Sequence, residues 1–158
     1  FLEMFGEEAL RRLQERRRLN QKCTTTSGWA SKMIDAIFRV VIQQEDGLVL
    51  RCGRDEYRIT DPVTRRNYFY DLYIEIPRSG RKVVVEFNGT CYHAPPWLPQ
   101  EQRSLWKSLG SGRSWNTSRN FDLYKQGLLT PQGVELLVVW DNERVADICN
   151  KVRGFLYG

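Results

Sequence analysis

Hydrophobic residues recur along the chain with two periods, and the change of period marks out the elements. Met33, Ile34, Ile37, Phe38 and Val41 follow the helical spacing and predict a helix from about Trp29 to Gln43, with Ser27 as its N-cap. At 100° per residue, Asp35 falls on the flank of that stripe, about 60° beyond Phe38. Short strands are expected at about 48–52 and 56–60, and then two longer runs of β-branched and aromatic residues at 67–76 and 82–88. Those two runs flank a Pro-Arg-Ser-Gly turn and read as a β-hairpin. Residues 94–117 look irregular apart from a helical turn near 100–109, and a stretch of that length is more often functional than filler. A helix with Ser118 as its cap is expected at 118–128. The unbroken apolar run VELLVVW (134–140) reads as a strand buried in the middle of a sheet, and a last helix at 143–156 follows.

The pattern gives the order α-β-β-β-α-β-α, an α/β or α+β domain in which helices flank a central mixed sheet of about four strands. Residues 27–158 form that domain. Residues 1–26 are set apart as a basic N-terminal helix or linker: Leu2, Phe5, Ala9 and Leu13 make a broken stripe, surrounded by Arg11, Arg12, Arg16, Arg17 and Arg18. Such a face is either solvated or set against a nucleic-acid backbone.

Composition narrows the classes. A chain of 158 residues can bury a real core as one domain. Its net charge of +5 suits a polyanionic partner, although 19 acids remain. Cys23, Cys52, Cys91 and Cys149 form no Cys-x-x-Cys pair, so they read as reduced thiols of an intracellular protein rather than a zinc or disulfide framework. No apolar run is long enough to span a membrane. The chain begins with Phe1, which leaves a preceding segment open.

The hairpin carries the chemistry. Each of its strands places an acid among apolar neighbours, Asp71 and Glu86. A turn centred on Arg78-Ser79 sets Asp71 opposite Glu86; one centred on Ser79-Gly80 sets Asp71 opposite Asn88. Either even-length turn puts Asp71, Glu86 and Asn88 on one face, whereas a three-residue loop would split them. Two carboxylates on one face repel unless something positive lies between them. Mg²⁺ or Mn²⁺ fits that need, because it takes one or two carboxylates and fills its remaining positions with water and phosphate oxygens. The plainer alternative is that both acids pair with arginines or face solvent.

Asp71, followed fifteen residues later by Glu86-Phe87-Asn88, resembles the PD-(D/E)XK nuclease signature. The text VEFNGTCYHAPP is most similar to the branch of very-short-patch repair and phage homing endonucleases, in which a Gly after the acidic strand precedes a His by four residues, as Gly89 and His93 do here. SKMIDAIFRVV resembles the first helix of that branch, with Asp35 as its acid. NFDLYKQGL resembles a later helix, with Asp122 and Lys125, and LLVVWDNE resembles the last strand, which ends in Trp plus an acid. The resemblance covers roughly residues 27–145. It implies a restriction-endonuclease-like fold and metal-dependent hydrolysis of DNA in homing or repair, with Asp71 and Glu86 as ligands. His93 would be a general base or leaving-group acid, and Asp35 would bind metal through water or position a nucleophile. Asn88 stands where the signature usually has Lys; it can orient a water but supplies no charge.

Each assignment has a structural counterpart. His93, the only histidine, belongs to the residue type suited to proton transfer near neutrality, and would otherwise be hydrogen-bonded in the scaffold. Asp35 could pair with Arg39 four residues on. Asp122 and Lys125 are neighbours on a helix and are expected to form a solvated salt bridge, with phosphate contact by Lys125 as the alternative. Arg103, Lys107, Arg113 and Arg119, interleaved with Trp106 and Trp115, suit phosphate holding and base stacking, or else a flexible loop with its tryptophans tucked in. A second functional class is a nuclease-like fold without cleavage that binds RNA, as in the RAP domain of organellar proteins. That family usually places its His three residues after the Gly. The partner is DNA in the first reading, in a cytoplasmic or nucleoid-associated protein, and RNA in the second, in an organellar one; neither involves a membrane.

Overall fold

The computed structural model describes residues 28–42 and 47–158. The basic N-terminal segment 1–26 and the Ser27 cap lie outside the described residues.

Helix α1 (Gly28–Val40) buries Ala30, Met33, Ile34, Ile37 and Phe38, the stripe expected from the helical period. Four strands follow the order β1 (Val49–Thr60), β2 (Asn67–Ile76), β3 (Arg81–Asn88) and β4 (Val134–Trp140) across one sheet. Strands β1 to β3 are antiparallel neighbours, and β4 runs parallel to β3. A short helix α2 (Gln100–Arg103), helix α3 (Trp115–Gly127) and a 3₁₀ turn at Thr130–Gln132 connect β3 to β4; helix α4 (Val145–Tyr157) closes the chain. The protein is an α+β domain with a four-stranded mixed sheet flanked by helices.

The sheet is covered on both sides. Leu72, Ile74, Val83, Val85 and Phe87 pack with the buried residues of α1 and with Ile148, Cys149, Val152 and Leu156 of α4. The opposite face carries Tyr70, Tyr73 and Val84, covered by Leu129 and by the half-buried Phe121 and Leu128. Residues from Val83 to the end of β3 are buried, as befits a strand with a layer on each side.

Strand β4, expected in the middle of the sheet, lies at its edge with β3 as its one strand neighbour among the described residues, and Leu136 to Val138 are half-buried there. Two boundaries also differ from those expected. The runs at 48–52 and 56–60 belong to a single strand, because the Gly53-Arg54-Asp55 stretch, which reads as a turn, is absorbed by a register shift between Cys52 and Tyr57. Helix α3 starts at Trp115, since the Ser114 hydroxyl accepts the Thr117 amide at 3.3 Å; Ser118 lies buried inside the helix. The loop before it is tied down by side chains. Arg103 donates to the carbonyls of Leu98 and Pro96 and lies 4.0 Å from the Trp115 ring centroid. The indole N–H groups of Trp106 and Trp115 donate to the carbonyls of Thr90 and Pro95.

Candidate functional site

The hairpin register runs from Ile76↔Arg81 to Leu72↔Val85, so the four-residue loop is centred on Arg78-Ser79 and Asp71 falls opposite Glu86. Backbone pairing between the strands stops there, and the two carboxylates take over. The Asp71 amide donates to Glu86 Oε1 at 2.8 Å, and Asp71 Oδ2 accepts the Phe87 amide at 2.9 Å. Each acid satisfies a donor that the ladder would otherwise have satisfied.

The positive charge comes from α3. Lys125 Nζ donates to Glu86 Oε2 at 2.9 Å, with Glu86 only 6% exposed. The fully buried Tyr70 positions it: its hydroxyl donates to the Lys125 carbonyl at 2.6 Å, and its ring centroid lies 4.9 Å from Nζ. Burial opposes the ammonium, but Glu86, then Asp71 and Glu56, outweigh it and hold the Lys125 pKa above the ordinary lysine value.

Glu56, brought up by the irregular middle of β1, is a third carboxylate of this cluster. Burial and the Glu86 charge push it up to about 7, against the pull of Lys125. Burial and Glu86 likewise raise Asp71 to about 7, with the Phe87 amide and Lys125 working the other way. One ammonium therefore faces three carboxyl groups, and the excess negative charge is relieved by protonation or by a further cation. Asn88, on the Glu86 side of β3 and 3% exposed, has no hydrogen-bond partner for its side-chain amide among the described residues. Asp71 Oδ1 likewise has no donor among the described residues. Among the described residues, no group of three or more His, Cys, Asp or Glu side chains is arranged to hold a metal ion.

His93 sits beside this cluster. The turn after β3 closes through its amide, which donates to the Gly89 carbonyl at 2.9 Å, while Asp141 at the end of β4 accepts the Thr90 amide at 3.1 Å. The imidazole Nδ1 lies 3.1 Å from both carboxylate oxygens of the buried Asp122. Asp122 and Lys125 are one turn apart on α3, which sets the His93 ring about one helix turn from the Lys125–Glu86 contact. The expected solvated Asp122–Lys125 bridge is thus replaced by two separate partnerships, because the helix turns both side chains inward against β3 and the following turn.

The other candidates are placed differently. Asp35 lies half-buried on α1, which packs on the sheet face opposite Lys125. Arg103 and Trp115 brace the loop, as described above. Lys107 and Arg113 are exposed, and Arg119 is half-buried on α3. Glu56 and Tyr70 carry the site without having been singled out by the sequence; the alternation of β2 marks Tyr70 as core, and nothing local marks Glu56.

Neither a scan against protein-family models nor searches of curated proteins and of solved structures returned a match.

Proposed function

We propose that the protein is a metal-dependent DNA endonuclease that hydrolyses phosphodiester bonds, as the resemblance of Asp71, Glu86 and His93 to the PD-(D/E)XK signature implies. The observation that carries the reading is the Lys125–Glu86 contact beside Asp71: an ammonium from α3 supplies the charge that Asn88 does not. The donor chemistry suits Mg²⁺ or Mn²⁺. Two carboxylates and an amide oxygen are hard ligands, the cluster holds excess negative charge, and so sparse a set leaves room for waters and phosphate oxygens. Asp71, Glu86 and Asn88 are the residues that would hold it. Such an ion, when bound, polarises the phosphate and lowers the pKa of a water.

The chain's own groups do the rest. Lys125 offers its remaining N–H donors to a phosphate oxygen, stabilising charge that builds during in-line attack. Asn88 orients the attacking water through its amide. Asp122 holds the imidazole of His93 at Nδ1, leaving Nε2 to take the proton of the water or to give one to the leaving oxygen.

One observation favours the second reading, an RNA-binding module without cleavage: both oxygens of Glu86 already have protein donors. Supercoiled plasmid incubated with Mg²⁺ or Mn²⁺ separates the two. Nicking that disappears in EDTA supports the nuclease. Intact plasmid at every metal concentration, together with tight RNA binding, overturns it.

A further inference from the structure

A cavity of about 540 Å³ has in its wall Lys125, whose ammonium pairs with Glu86. Its other walls are Tyr68 and Phe121, whose rings meet at 6.1 Å, the exposed Phe69, and the guanidinium-bearing Arg66 and Arg113. Arg113 lies 4.6 Å from the Phe121 ring centroid. Neither Arg66 nor Arg113 has a carboxylate partner among the described residues, whereas Arg81 is tied to Glu135 and Arg51 to Asp55. Arg66 is also held in place. It closes a loop in which Asp61 accepts the Val63 amide and the Thr64 hydroxyl, and the Tyr124 hydroxyl of α3 donates to the same carboxylate. Arg65 beside it takes a left-handed backbone, φ 64°, which a non-glycine residue keeps only where its surroundings impose it.

Aromatic faces accept a base by stacking, and free guanidinium groups accept its flanking phosphates or cover its other face. The volume is that of a small-ligand site. A base within a duplex presents only its edges, so a ring reaches such a cavity only when it is unpaired. We propose that this cavity seats one unpaired nucleotide of a DNA strand, adjacent to the phosphate at the Asp71–Glu86 pair. Substrates with a single-stranded or extrahelical nucleotide at that position are therefore preferred over continuous duplex. The inference rests on the nuclease reading, and its test is a binding measurement independent of cleavage.

The full chain is titrated in EDTA with three probes of one sequence: a short single-stranded DNA, its duplex, and the duplex with one 2-aminopurine opposite an abasic site. The single strand and the abasic duplex should bind more tightly than the continuous duplex, and 2-aminopurine emission should change as the base stacks. Arg66→Gln and Arg113→Gln, both at exposed positions, should each weaken the unpaired probes by about 5- to 100-fold and lower the salt slope by about one. Phe121→Leu, which keeps a side chain against Tyr68, should remove the emission change while circular dichroism stays that of the parent. Equal affinity for all three probes, with both arginine variants unaffected, overturns the proposal, as does binding of the matching RNA strand but not of the DNA. Preference for the unpaired probes in a protein that never nicks DNA supports the cavity while sinking the nuclease reading. Nicking without that preference overturns the cavity alone.

Discussion

Replacing Lys125 with Met tests whether the cluster is organised by charge. The side chain keeps most of its length, so the apolar contact with Tyr70 survives while the ammonium is lost. In the parent, Nζ and Glu86 Oε2 are 2.9 Å apart. At an effective dielectric of about 20 that separation corresponds to about 6 kcal/mol of attraction before desolvation is charged against it. Removing one partner of a buried pair typically costs about 3–5 kcal/mol, because the other charge is left uncompensated. We expect a loss in that range at pH 8, above the value of about 7 to which Glu56 and Asp71 are raised in the parent.

The loss should shrink in acid. Asp71 and Glu56 are raised to about 7, while their unfolded counterparts titrate near 4. Between those values the folded protein holds more protons than the unfolded chain, so stability falls as pH rises through the window, by about 1.4 kcal/mol per pH unit for each proton held in excess. Without the ammonium both carboxyl groups move higher still, which extends the decline past pH 7 and steepens it there. Urea unfolding at a series of pH values from 5 to 9 reads both slopes. A Lys125→Met protein whose deficit is the same at pH 5.5 and pH 8.5 would show that packing, not charge, is what the lysine contributes, and would refute the electrostatic account of the site.

Asp71→Asn and Glu86→Gln should each abolish metal-dependent nicking and leave DNA affinity in EDTA nearly unchanged, since binding comes from the basic groups; full cleavage by Asp71→Asn would end the proposed mechanism. His93→Ala should slow single-turnover cleavage by about 10²- to 10⁴-fold with the melting temperature preserved. A melting temperature that falls while the rate per folded molecule holds would assign His93 to the scaffold instead. Arg81, which pairs with Glu135 through two nitrogens and also donates to the carbonyls of Phe155 and Leu156 at the end of α4, should cost about 2 kcal/mol of unfolding free energy as Arg81→Ala, with no change in nicking rate.

The hairpin and its acids were legible because their determinants are local. Alternation along β2 and β3, with a Pro-Arg-Ser-Gly loop of even length, suffices to put Asp71 opposite Glu86. The continuous apolar run of β4 announced a strand but not its place, which is the edge of the sheet beside β3 rather than the middle. The pairing of Lys125 with Glu86 was not legible, since it depends on the rotation of α3 about its own axis. That rotation is set by Tyr70, fifty-five residues earlier in the chain, and by the loop that begins at Gly89. Glu56 was hidden for a related reason: Gly53-Arg54-Asp55 carries turn chemistry, and only pairing with the long β2 converts it into a register shift inside one strand. Ser114 and Ser118 are both competent caps; the loop ties of Arg103 and Trp115 fix which one is used.

The two acids therefore hold the sheet together at the place where they would also act. Where β2 and β3 part, the amides of Asp71 and Phe87 lose their ladder partners, and the opposed carboxylates supply them. A neutral acceptor would serve that structural purpose equally well, and an acid is the costlier choice in a cluster that already raises Asp71 to about 7. The contrast between two substitutions isolates what the charge is for. Asp71→Ala strands the buried Phe87 amide and should lower stability by about 1–3 kcal/mol. Asp71→Asn keeps an acceptor for that amide and removes one repelling charge from beside Glu86 and Glu56, so it should leave the fold as stable as the parent or more so above pH 7. An Asn variant that is stabilised and inactive would mean that the carboxylate is kept at the expense of stability. That is the mark of a group retained for binding a cation or a reacting phosphate rather than for the hairpin. An Asn variant as unstable as the Ala variant would mean that the charge itself holds the strands, and the case for chemistry at Asp71 would lose its footing.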